Sequence, residues 1–489
     1  MTLAPFFKKP RQLFIGGQWV DSVSGEYFDS IDPSTGLVLG QVARGGAEDI
    51  DRAVVAARTA FNGDWQFLLP FDRQHLMLRL AAAIDKRFDE LAVLESCDMG
   101  APITRTTAYR RWIQQMFHYY AGQVTQTRGE IFANSIPGDP LSYSLKLPLG
   151  VAGAIIPWNA PLISQLWSIC PMLATGCTLV LKPAEEAALS PLLIAEIMSE
   201  AGLPAGVLNV VPGPGSTAGA RLAEHPDVDR ISFTGSTDTG KKIVKASAES
   251  MKRVSVELGG KSPNIIFADA DLKAAAIGAA MACFNNSGQV CFAGTRLLVQ
   301  RAIYDAFVEQ VAAVGRELHI GPALNPATQL GPLASAAQLD RVSAHLASAR
   351  KEGAEIVSGG TRLSGEFENG YFIQPTVIAG VTNQMKIAQE EVFGPVLAAI
   401  PFDEEEEAIR IANETPYGLG SGIWSRDVGR IQRVSRSIRA GMTWANCYGL
   451  MDPATTFTGT KLSGYGVKGG PSHIDEYLLT KTIWSSSQP

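Results

Sequence analysis

The chain has 489 residues, of which 46% are hydrophobic and 18% are charged, and its formal net charge is −6. A chain of this length exceeds what one hydrophobic core fills, so we expect two or three lobes. The composition is that of a folded globular protein rather than a disordered one. The negative net charge comes without a basic cluster, which excludes nucleic acid and an anionic membrane surface as expected partners. A function on small molecules is favoured.

The chain start and the cysteines indicate a reducing compartment. MTLAPFFKKPRQLFIGGQWV holds two apolar pieces divided by Lys8, Lys9 and Arg11, which is neither a signal-peptide core nor a membrane-spanning helix. The cysteines show no short paired spacing, so neither a metal site nor a disulfide framework is predicted. They are Cys97, Cys170, Cys177, Cys283, Cys291 and Cys447. We expect a cytoplasmic protein without a metal.

The first half of the chain changes its pattern near Pro148. From residue 47 to about residue 121, apolar residues recur at helical spacing, as in DIDRAVVAARTAF, which predicts packed helices. After Pro148, short apolar runs alternate with helical segments. Strands are predicted at GVAGAIIPWN, TLVLKP, VLNVVPG and RISFTG, and helices at about 165–174, 191–201 and 218–223. This alternation predicts a parallel sheet wound with helices.

A second alternation of predicted strands and helices begins after Gly259. It comprises the strand-like runs PNIIFADA and TRLLVQ and helices at about 272–285 and 303–317, and it predicts a second lobe. GPALNP and LGPLAS mark loops. The acidic run at 403–407 opens a predicted helix, where a solvated first turn favoured by the helix dipole is the better interpretation.

Two motifs carry candidate catalytic side chains. Cys291 lies among small and polar residues in GQVCFAGTR, between a helix and a strand. A lone cysteine is more often an inert core residue than a nucleophile, so this motif alone is weak. Glu257 ends the apolar run of VSVELGGKSP and precedes two glycines. A solvated strand end is possible, but the carboxyl edge of a parallel sheet is where such folds place ligands, which makes Glu257 a candidate general base.

Two glycine-rich segments are candidates for binding a nucleotide. The turn from Gly235 to Gly240 lies between a strand and a helix, a geometry that suits a phosphate-bearing ligand. Gly213, Gly215 and Ala218 match the dinucleotide fingerprint by letter, but an intervening proline stiffens the loop and the match alone is weak. We interpret the second segment as a loop beside the adenosine end of the ligand.

Together these motifs resemble the aldehyde dehydrogenase superfamily, over nearly the whole chain from LFIGGQWV to EYLLTKTIW. The matching segments follow the family's order: PWNAP (157–161), LKPAEE (181–186), FTGST (233–237), ELGGKSP, GQVCFAG, EEVFGPV (390–396) and KLSGYG (461–466). The resemblance implies an α/β fold with a Rossmann-type cofactor lobe, an α/β catalytic lobe and a β oligomerisation arm. The implied boundaries are 1–125 and 149–258 for the NAD-binding lobe, 259–460 for the catalytic lobe, and 126–148 and 474–487 for the arm.

The arm is expected to make a homodimer or homotetramer. SYSLKLP and LLTKTIW alternate as edge strands do, and exposed edge strands usually pair with another subunit.

The resemblance implies NAD-dependent oxidation of an aldehyde to a carboxylic acid. The Cys291 thiolate would attack the aldehyde carbon, and the Asn159 amide and the Cys291 N–H would hold the alkoxide. Water activated by Glu257 would then hydrolyse the thioester. No metal takes part.

The resemblance also assigns residues to the cofactor. Lys182 and Glu185 would hold the adenosine ribose, where a carboxylate accepts from the 2′-hydroxyl and repels the extra phosphate of NADP. The other cofactor residues that it implies are Pro157, Trp158, Gly215, Phe233, Gly235, Ser236, Gly240, Leu258, Glu391 and Phe393.

The substrate wall is implied to consist of Ala160, Ser164, Trp167, Phe292, Met451 and Phe457. The first two are small, the others are apolar or aromatic, and none is an arginine that could pair with a carboxylate. We therefore expect bulky apolar or aromatic aldehydes to be preferred over acetaldehyde, and succinic semialdehyde to be disfavoured.

Three departures from the family pattern concern the proton relay and the substrate entrance. Ser168 replaces a lysine found in many relatives, Val467 and Lys468 replace an Arg-Glu pair, and FTGT (457–460) replaces PFGG. Lys468 is a candidate to restore the missing positive charge from the other side.

Two other functions remain open from the sequence. A CoA-acylating semialdehyde dehydrogenase is disfavoured by Glu257, because such relatives generally lack that base. A catalytically silent NAD-binding or structural protein is disfavoured by the presence of Asn159, Glu257 and Cys291 together.

Overall fold

The structure is a computed structural model that describes residue 6 and residues 9–486. Residues 1–5 and 7–8 of the predicted cofactor lobe, including Lys8, and residue 487 of the predicted arm lie outside the described residues. Within the described part of the chain, no helix has the length and apolar character needed to cross a membrane.

The chain begins with short strands and continues with packed helices. These elements are β1 (Leu13–Ile15), β2 (Gln18–Val20), β3 (Tyr27–Ile31), β4 (Val38–Ala43), α1 (Ala47–Asn62), α2 (Pro70–Lys86), α3 (Phe88–Met99) and α4 (Ile103–Gln123). The four helices confirm the helical prediction for this stretch. Pro70 lies at the first residue of α2, where its missing N–H costs nothing, and Gly100 ends α3 in a left-handed conformation with φ of 82°.

The next part of the chain alternates strands and helices as predicted. Its elements are β5 (Ile131–Phe132), β6 (Leu141–Pro148), β7 (Val151–Ile156), α5 (Pro161–Ser164), α6 (Leu166–Thr175), β8 (Thr178–Pro183), α7 (Leu189–Glu200), β9 (Leu208–Val210), α8 (Ala220–Glu224), β10 (Arg230–Thr234), α9 (Thr237–Ser247) and β11 (Arg253–Glu257). Every residue of β7 and β8 is buried, because parallel strands are covered by helices on both faces.

The remainder of the chain forms a second α/β unit and returns to the first. Its elements are β12 (Pro263–Ile266), α10 (Leu272–Phe284), β13 (Arg296–Gln300), α11 (Tyr304–Glu317), α12 (Ala336–Lys351), β14 (Glu355–Ser358), β15 (Thr376–Ala379), α13 (Lys386–Gln389), β16 (Val396–Phe402), α14 (Glu405–Asn413), β17 (Tyr417–Gly418), β18 (Gly420–Trp424), α15 (Val428–Ser437), β19 (Met442–Ala445), β20 (Thr460–Lys461), β21 (Gly464–Tyr465), α16 (Ser472–Asp475) and β22 (Leu478–Ser485).

The first sheet has the strand order β2-β1-β9-β8-β7-β10-β11-β21. The strands from β9 to β11 are parallel, and β1, β2 and β21 join at the margins in antiparallel pairs. The chain moves outward from β7 to β8 and β9, then crosses back to place β10 on the other side of β7. This reversal creates a crevice at the carboxyl ends of β7 and β10, where open α/β sheets bind ligands.

The second sheet has the strand order β14-β15-β16-β13-β12-β18-β19 and is parallel except for β14. The chain reaches it directly from β11, because only residues 258–262 separate β11 from β12. Glu257 therefore lies where the two sheets are joined.

A third, antiparallel sheet has the order β22-β6-β5 and joins the two segments predicted as an arm. The expectation that SYSLKLP is an edge strand is wrong for this chain, since β6 pairs with β22 along its whole length on one side and with β5 on the other. LLTKTIW, in β22, does lie at an edge, and its Leu479 and Trp484 are exposed. The boundaries of the lobes and the arm stay predictions.

Candidate active site

A cleft of about 230 Å³ lies at the carboxyl ends of β7, β10 and β11, facing the loop before β13. Most of the predicted site residues line it: Pro157, Trp158, Asn159, Ala160, Ser164, Trp167, Gly235, Ser236, Glu257, Leu258, Cys291, Phe292, Glu391, Phe393, Met451 and Phe457. The structure thus brings together in one cleft residues that are far apart in the sequence.

The loop that presents Cys291 follows a strained turn. After α10, Asn286, Ser287 and Gly288 are in the left-handed region, with φ values of 53°, 54° and 72°. A Cβ atom on residue 288 would lie 2.0 Å from the carbonyl oxygen of Gly394, so this place admits only glycine. Non-glycine residues with positive φ persist only where their surroundings enforce them, and they occur often at functional sites.

The Cys291 side chain is partly exposed to the cleft and has an unusual electrostatic environment. Burial raises the pKa of the Cys291 thiol well above its usual value, and the negative charges of Glu257 and Glu391 raise it further. The positive charge of Lys468 acts in the opposite direction. Without a ligand the thiol is therefore protonated at neutral pH, and a nucleophilic role requires a base that removes its proton.

Glu257 is placed to be that base. Its Oε2 atom accepts a hydrogen bond from Nζ of Lys468 at 3.2 Å, and its side chain is only 11% exposed. The second oxygen, Oε1, is buried and has no hydrogen-bond partner among the described residues. A buried carboxylate oxygen without a partner is a costly arrangement that a proton donor or a water molecule in the cleft would relieve.

Asn159 follows β7 and is held by a small hydrogen-bond network. Its Nδ2 atom donates to the carbonyl oxygen of Gln289 at 2.8 Å, and Nδ2 of Asn286 donates to the Asn159 carbonyl oxygen at 3.0 Å. The side chain of Gln289 is in turn fixed by the N–H of Ala334 at 2.9 Å. Only one of the two amide N–H groups of Asn159 is used within the described residues, so the second can donate to a ligand.

Glu391, a predicted cofactor residue, lines the cleft. Its Oε1 atom accepts from the Gly260 N–H at 2.9 Å. Burial raises the pKa of Glu391 to about 7, although this N–H favours the ionised form. The guanidinium group of Arg341 donates to the Glu391 carbonyl oxygen at 3.2 Å, which fixes the backbone at this residue.

Phe393 is held by α12, which carries no recognisable motif. Nε2 of Gln338 donates to the carbonyl oxygen of Phe393 at 2.6 Å, and Phe393 has a φ of 56°. Its ring lies edge-on to Trp158, with 5.2 Å between centroids. Gln338 and Arg341 line the cleft themselves, and the sequence analysis missed both because their roles depend on where α12 packs.

Several predicted cofactor residues lie outside this cleft. Lys182 and Glu185 are at the end of β8, where Lys182 is 4% exposed. Burial lowers the pKa of Lys182, and the negative charge of Glu185 opposes that shift. The pair therefore brings a buried cation and a half-buried carboxylate to the carboxyl edge of the first sheet.

Gly215 opens a single π-helical turn in a place where a Cβ atom would contact nothing within 4 Å.

Two other predicted cofactor residues have packing roles. Phe233 is 4% exposed and belongs to the core beneath the first sheet. A Cβ atom on Gly240 would lie 2.4 Å from Cδ2 of Leu258, so this glycine allows α9 to approach the end of β11 closely. Ser236, in contrast, is exposed at the N-terminus of α9, where its hydroxyl accepts from the Thr239 N–H.

The predicted substrate wall surrounds the Cys291 end of the cleft. The ring of Phe292 lies 6.0 Å from that of Phe457, and Trp167 contacts Trp112 edge-on at 5.3 Å between centroids. A second cavity of about 270 Å³ shares Trp167, Met451 and Phe457 with the cleft and continues toward Trp444 and the exposed Leu450. Its lining also includes Thr443, Asp452, Thr455 and Thr456, so this second cavity is of mixed polarity.

One cation of the cleft was missed because it lies on a helix predicted only to pack. Arg105 of α4 lines the cleft, and its Nε atom donates to the Tyr109 hydroxyl at 2.8 Å. Its Nη1 atom donates to Oδ1 of Asn285 at 2.5 Å. The prediction that the wall contains no arginine holds for the six residues named for it, but not for the cleft as a whole.

The departures from the family pattern have different outcomes. Lys468 lines the cleft and contacts Glu257, whereas Ser168 is 3% exposed within α6 and does not line it.

All six cysteines are free. Within the described residues, no group of three or more His, Cys, Asp or Glu side chains could hold a metal ion.

The fold and the cleft are those of a two-sheet α/β enzyme with a cysteine, a carboxylate and an amide at its centre. The model of the aldehyde dehydrogenase family matches residues 19–483, and the chain belongs to this family. It is 42% identical to the mitochondrial benzaldehyde dehydrogenase of Antirrhinum majus, over 96% of this chain and 88% of that protein. It is 40% identical to the betaine aldehyde dehydrogenase of Bacillus subtilis, over 98% of both chains.

Solved structures agree with this assignment. The structure of an aldehyde dehydrogenase from Bacillus cereus in complex with NAD⁺ superposes with a TM-score of 0.97 at 41% sequence identity, covering 99% of this chain and 98% of that one. The predicted fold class is confirmed.

Proposed function

We propose that this protein oxidises an aldehyde to a carboxylic acid with NAD as the hydride acceptor, through a thioester on Cys291. One observation carries the proposal: Cys291, Glu257 and Asn159 meet in a single cleft at the carboxyl edge of the parallel sheet. Membership of the aldehyde dehydrogenase family supports the reaction class.

The residues around the cleft fit NAD. The crevice at the ends of β7 and β10 includes Gly235 and Ser236, which lead into the N-terminus of α9 and suit a pyrophosphate. Glu391 and Phe393 line the same cleft and would hold the nicotinamide ribose and ring. Gly259 leaves room for the Glu391 carboxylate, since a Cβ atom there would lie 2.2 Å from Oε2. The NAD⁺ complex of the related Bacillus cereus enzyme supports this choice of cofactor.

The protein's own groups supply the proton transfers and the nucleophile. Glu257 takes the proton of the Cys291 thiol, and the thiolate adds to the aldehyde carbon to form an alkoxide. The free N–H of the Asn159 amide and the Cys291 backbone N–H donate to that oxygen. When bound, NAD accepts the hydride that leaves this carbon.

Thioester hydrolysis uses the same carboxylate again. Glu257 first releases the thiol proton to solvent, which is the proton set free in the overall oxidation. It then takes a proton from a water molecule, whose oxygen adds to the thioester carbonyl carbon, and the C–S bond breaks. The carboxylic acid leaves, and Glu257 gives its proton to the Cys291 sulfur. The Oε1 atom of Glu257 supports this role, because it is a buried acceptor without a hydrogen-bond partner among the described residues. The Cys291 thiol also interacts with the Glu257 carboxylate.

A bulky apolar or aromatic aldehyde is the proposed substrate class. Ala160 and Ser164 leave space on one wall, and the rings of Trp167, Phe292 and Phe457 supply apolar faces. The benzaldehyde dehydrogenase among the relatives supports this class, whereas the betaine aldehyde dehydrogenase does not.

A carboxylate-bearing aldehyde is the second candidate, because Arg105 lines the cleft. Two of its nitrogen atoms already donate to Tyr109 and Asn285, which favours the first class. Comparing kcat/KM for benzaldehyde and succinic semialdehyde, in the parent and in Arg105→Met, separates the two candidates.

We also infer that the arm joins copies of this chain as a dimer or tetramer. The edge strand β22 exposes Leu479 and Trp484, and β5 and β6 expose Ile131 and Leu145 on the same small sheet. Light scattering on a size-exclusion column should give the mass of two or four chains, and Trp484→Asp should lower it.

The experiment that tests the proposed reaction traps the thioester. Glu257→Gln, which keeps the side-chain shape, should give one burst of NADH and an acyl adduct on Cys291 in the intact-mass spectrum. Cys291→Ser is the control that should give neither. Steady turnover by Glu257→Gln, or an acid product that forms only when coenzyme A is added, would contradict the proposal.

A further inference from the structure

We propose that Lys468 is the counter-ion and positioning residue of the Glu257–Cys291 pair, and that its ammonium group keeps both side chains reactive. The inference rests on the proposed function, because it assigns Lys468 to the step in which Glu257 acts as a base. Lys468 itself contacts neither the predicted substrate nor the cofactor in this role.

The contacts of the Lys468 ammonium group carry the inference. The residue is 8% exposed, and its Nζ atom donates to Oε2 of Glu257 at 3.2 Å and to Oγ1 of Thr234. These two acceptors end the adjacent strands β11 and β10. Lys468 therefore holds one oxygen of Glu257 against the sheet edge. The other oxygen, Oε1, has no hydrogen-bond partner in the described part of the chain and can accept a proton from the thiol or from water.

Backbone hydrogen bonds and a tight turn at Lys468 restrict where its side chain can lie. Its N–H donates to the carbonyl oxygen of Phe457 at 2.9 Å, and the Phe457 N–H donates to the Lys468 carbonyl oxygen at 2.7 Å. The next residue, Gly469, has a φ of 66°, and a Cβ atom there would lie 2.4 Å from the Thr455 carbonyl oxygen. The backbone thus turns immediately after Lys468, and its two hydrogen bonds with Phe457, a residue of the predicted substrate wall, fix the position of Lys468.

The other ionisable groups nearby do not replace this cation. Cys291 faces Glu257 from the loop before β13, and Glu391 approaches from the loop before β16 as a second negative group. Behind Lys468 lies His473 of α16, whose pKa is lowered well below its usual value by burial and by the charges of Arg230 and Lys468. His473 is therefore neutral near pH 7.

The other two cations that line the cleft form hydrogen bonds with groups other than Glu257. Arg105 binds Tyr109 and Asn285, and Arg341 binds the carbonyl oxygen of Glu391. Lys468 is the cation that forms an ion pair with Glu257 in the described part of the chain.

The ion pair has two chemical consequences. The positive ammonium group holds Oε2 of Glu257 in place, so Oε1 is the oxygen that can take a proton. The same charge favours the Cys291 thiolate, against the effects of burial and of two carboxylates. Removing the ammonium group should therefore make the thiol harder to ionise and release Glu257 from its fixed position, and should leave distant parts of the site unchanged.

The test compares Lys468→Met with Lys468→Arg and with Lys252→Met. Lys252 is a matched control, because it is also 8% exposed and its Nζ atom donates to a carbonyl oxygen, that of His225, away from the cleft. Two pH profiles are measured: the rate of Cys291 alkylation by iodoacetamide, and the rate of thioester hydrolysis after a single NADH burst.

In Lys468→Met the alkylation profile is expected to move to higher pH by at least about one pH unit, because the thiol loses a nearby positive charge. On the acid side the alkylation rate falls about tenfold and rising pH restores it. The hydrolysis rate is expected to fall about tenfold, because Glu257 is no longer held in position. Lys468→Arg keeps a positive charge and should stay within about threefold of the parent, and Lys252→Met should leave both profiles in place.

An alkylation rate that falls equally at every pH in Lys468→Met would overturn the inference and show a merely structural role, as would unchanged alkylation and hydrolysis rates. A parent enzyme that forms no acyl adduct would instead refute the proposed function. The alkylation profile would still show in that case whether Lys468 controls the thiol.

Discussion

The Glu391 carboxylate occupies the space that a side chain at Gly259 would fill. A Cβ atom on residue 259 would lie 2.2 Å from Oε2 of Glu391, while the neighbouring Gly260 N–H donates to Oε1 at 2.9 Å. The two glycines after Glu257 are therefore part of the proposed cofactor site, since they create the recess that the Glu391 carboxylate occupies.

Gly259→Ala is expected to displace the Glu391 carboxylate and raise KM for NAD by about tenfold, a loss of about 1.4 kcal/mol of binding. The fold should tolerate the change, because the crowded atom is the end of a flexible side chain. Gly122→Ala in α4 is the control, since a Cβ atom there meets nothing within 4 Å and alanine suits a helix. Steady-state kinetics with varied NAD measure the effect, and an unchanged KM would remove Glu391 from the cofactor site.

Cys291→Ser is expected to reduce both aldehyde oxidation and ester hydrolysis by at least about a hundredfold, because a serine hydroxyl ionises far less readily than a thiol. NAD should still bind, as followed by quenching of tryptophan fluorescence. Cys447→Ser is the matched control, since Cys447 is also free and partly exposed but does not line the cleft. Ester hydrolysis that survives in Cys291→Ser would assign the nucleophile to another residue.

The parent enzyme is expected to prefer NAD over NADP by at least roughly tenfold in kcat/KM, or about 1.4 kcal/mol. The reason is the half-buried carboxylate of Glu185, which would lie beside the 2′-phosphate of NADP. Glu185→Ser should narrow the gap, while Glu186→Ser, which alters an exposed neighbour, should leave it unchanged. Equal efficiency with both cofactors in the parent would show that Glu185 does not meet the ribose.

Stability should decline as pH rises toward 8 because of a buried carboxyl group behind the Asn159 loop. Glu95 accepts hydrogen bonds from the Leu162 N–H at 3.1 Å and the Ser190 hydroxyl at 2.6 Å, and burial raises its pKa to about 8. Between about pH 4.5 and 8 the folded state thus holds a proton that the unfolded state lacks, so the free energy of unfolding falls as pH increases. Glu95→Gln, which cannot ionise, should show a smaller drop in apparent Tm between pH 5 and 8. If the apparent Tm fell by the same amount in both proteins, ionisation of Glu95 would not lower the free energy of unfolding.

Local sequence patterns predicted the elements that carry the chemistry. The run ending at Glu257 is β11, the run before Gly235 is β10, and Cys291 lies between α10 and β13 as expected. These predictions succeeded because buried parallel strands are continuous apolar runs, and because strands of one sheet present their carboxyl ends at the same edge. Parallel pairing then brings distant motifs together.

The residues that were missed act through tertiary packing. Arg105 reaches the cleft from a helix whose pattern shows only that one face is buried, and Gln338 and Arg341 act from α12, which has no motif. The assignment of Phe233 and Gly240 to the cofactor stays a prediction; in the structure Phe233 lies in the core and Gly240 packs closely against Leu258. β6 was expected at an edge because its alternation does not reveal that β5 pairs with Ser142 and Tyr143 on its second side.

The last prediction concerns substrate choice at Ala160. This residue lies between the Asn159 amide and α5, lines the cleft, and presents only a methyl group to it. Ala160→Phe places a ring into the space proposed for a bulky aldehyde. We expect kcat/KM for benzaldehyde to fall by about tenfold or more and that for acetaldehyde to change by less than about threefold, because a two-carbon substrate does not need this space. Ala160→Ser, which adds one atom, is the control and should keep the preference of the parent. Both aldehydes are measured in each variant together with the NADH burst, so that a general loss of Cys291 reactivity is distinguished from a change in selectivity. A parent enzyme that works best on acetaldehyde, with a preference that the added ring does not alter, would show that the wall formed by Ala160 and Ser164 does not select the substrate.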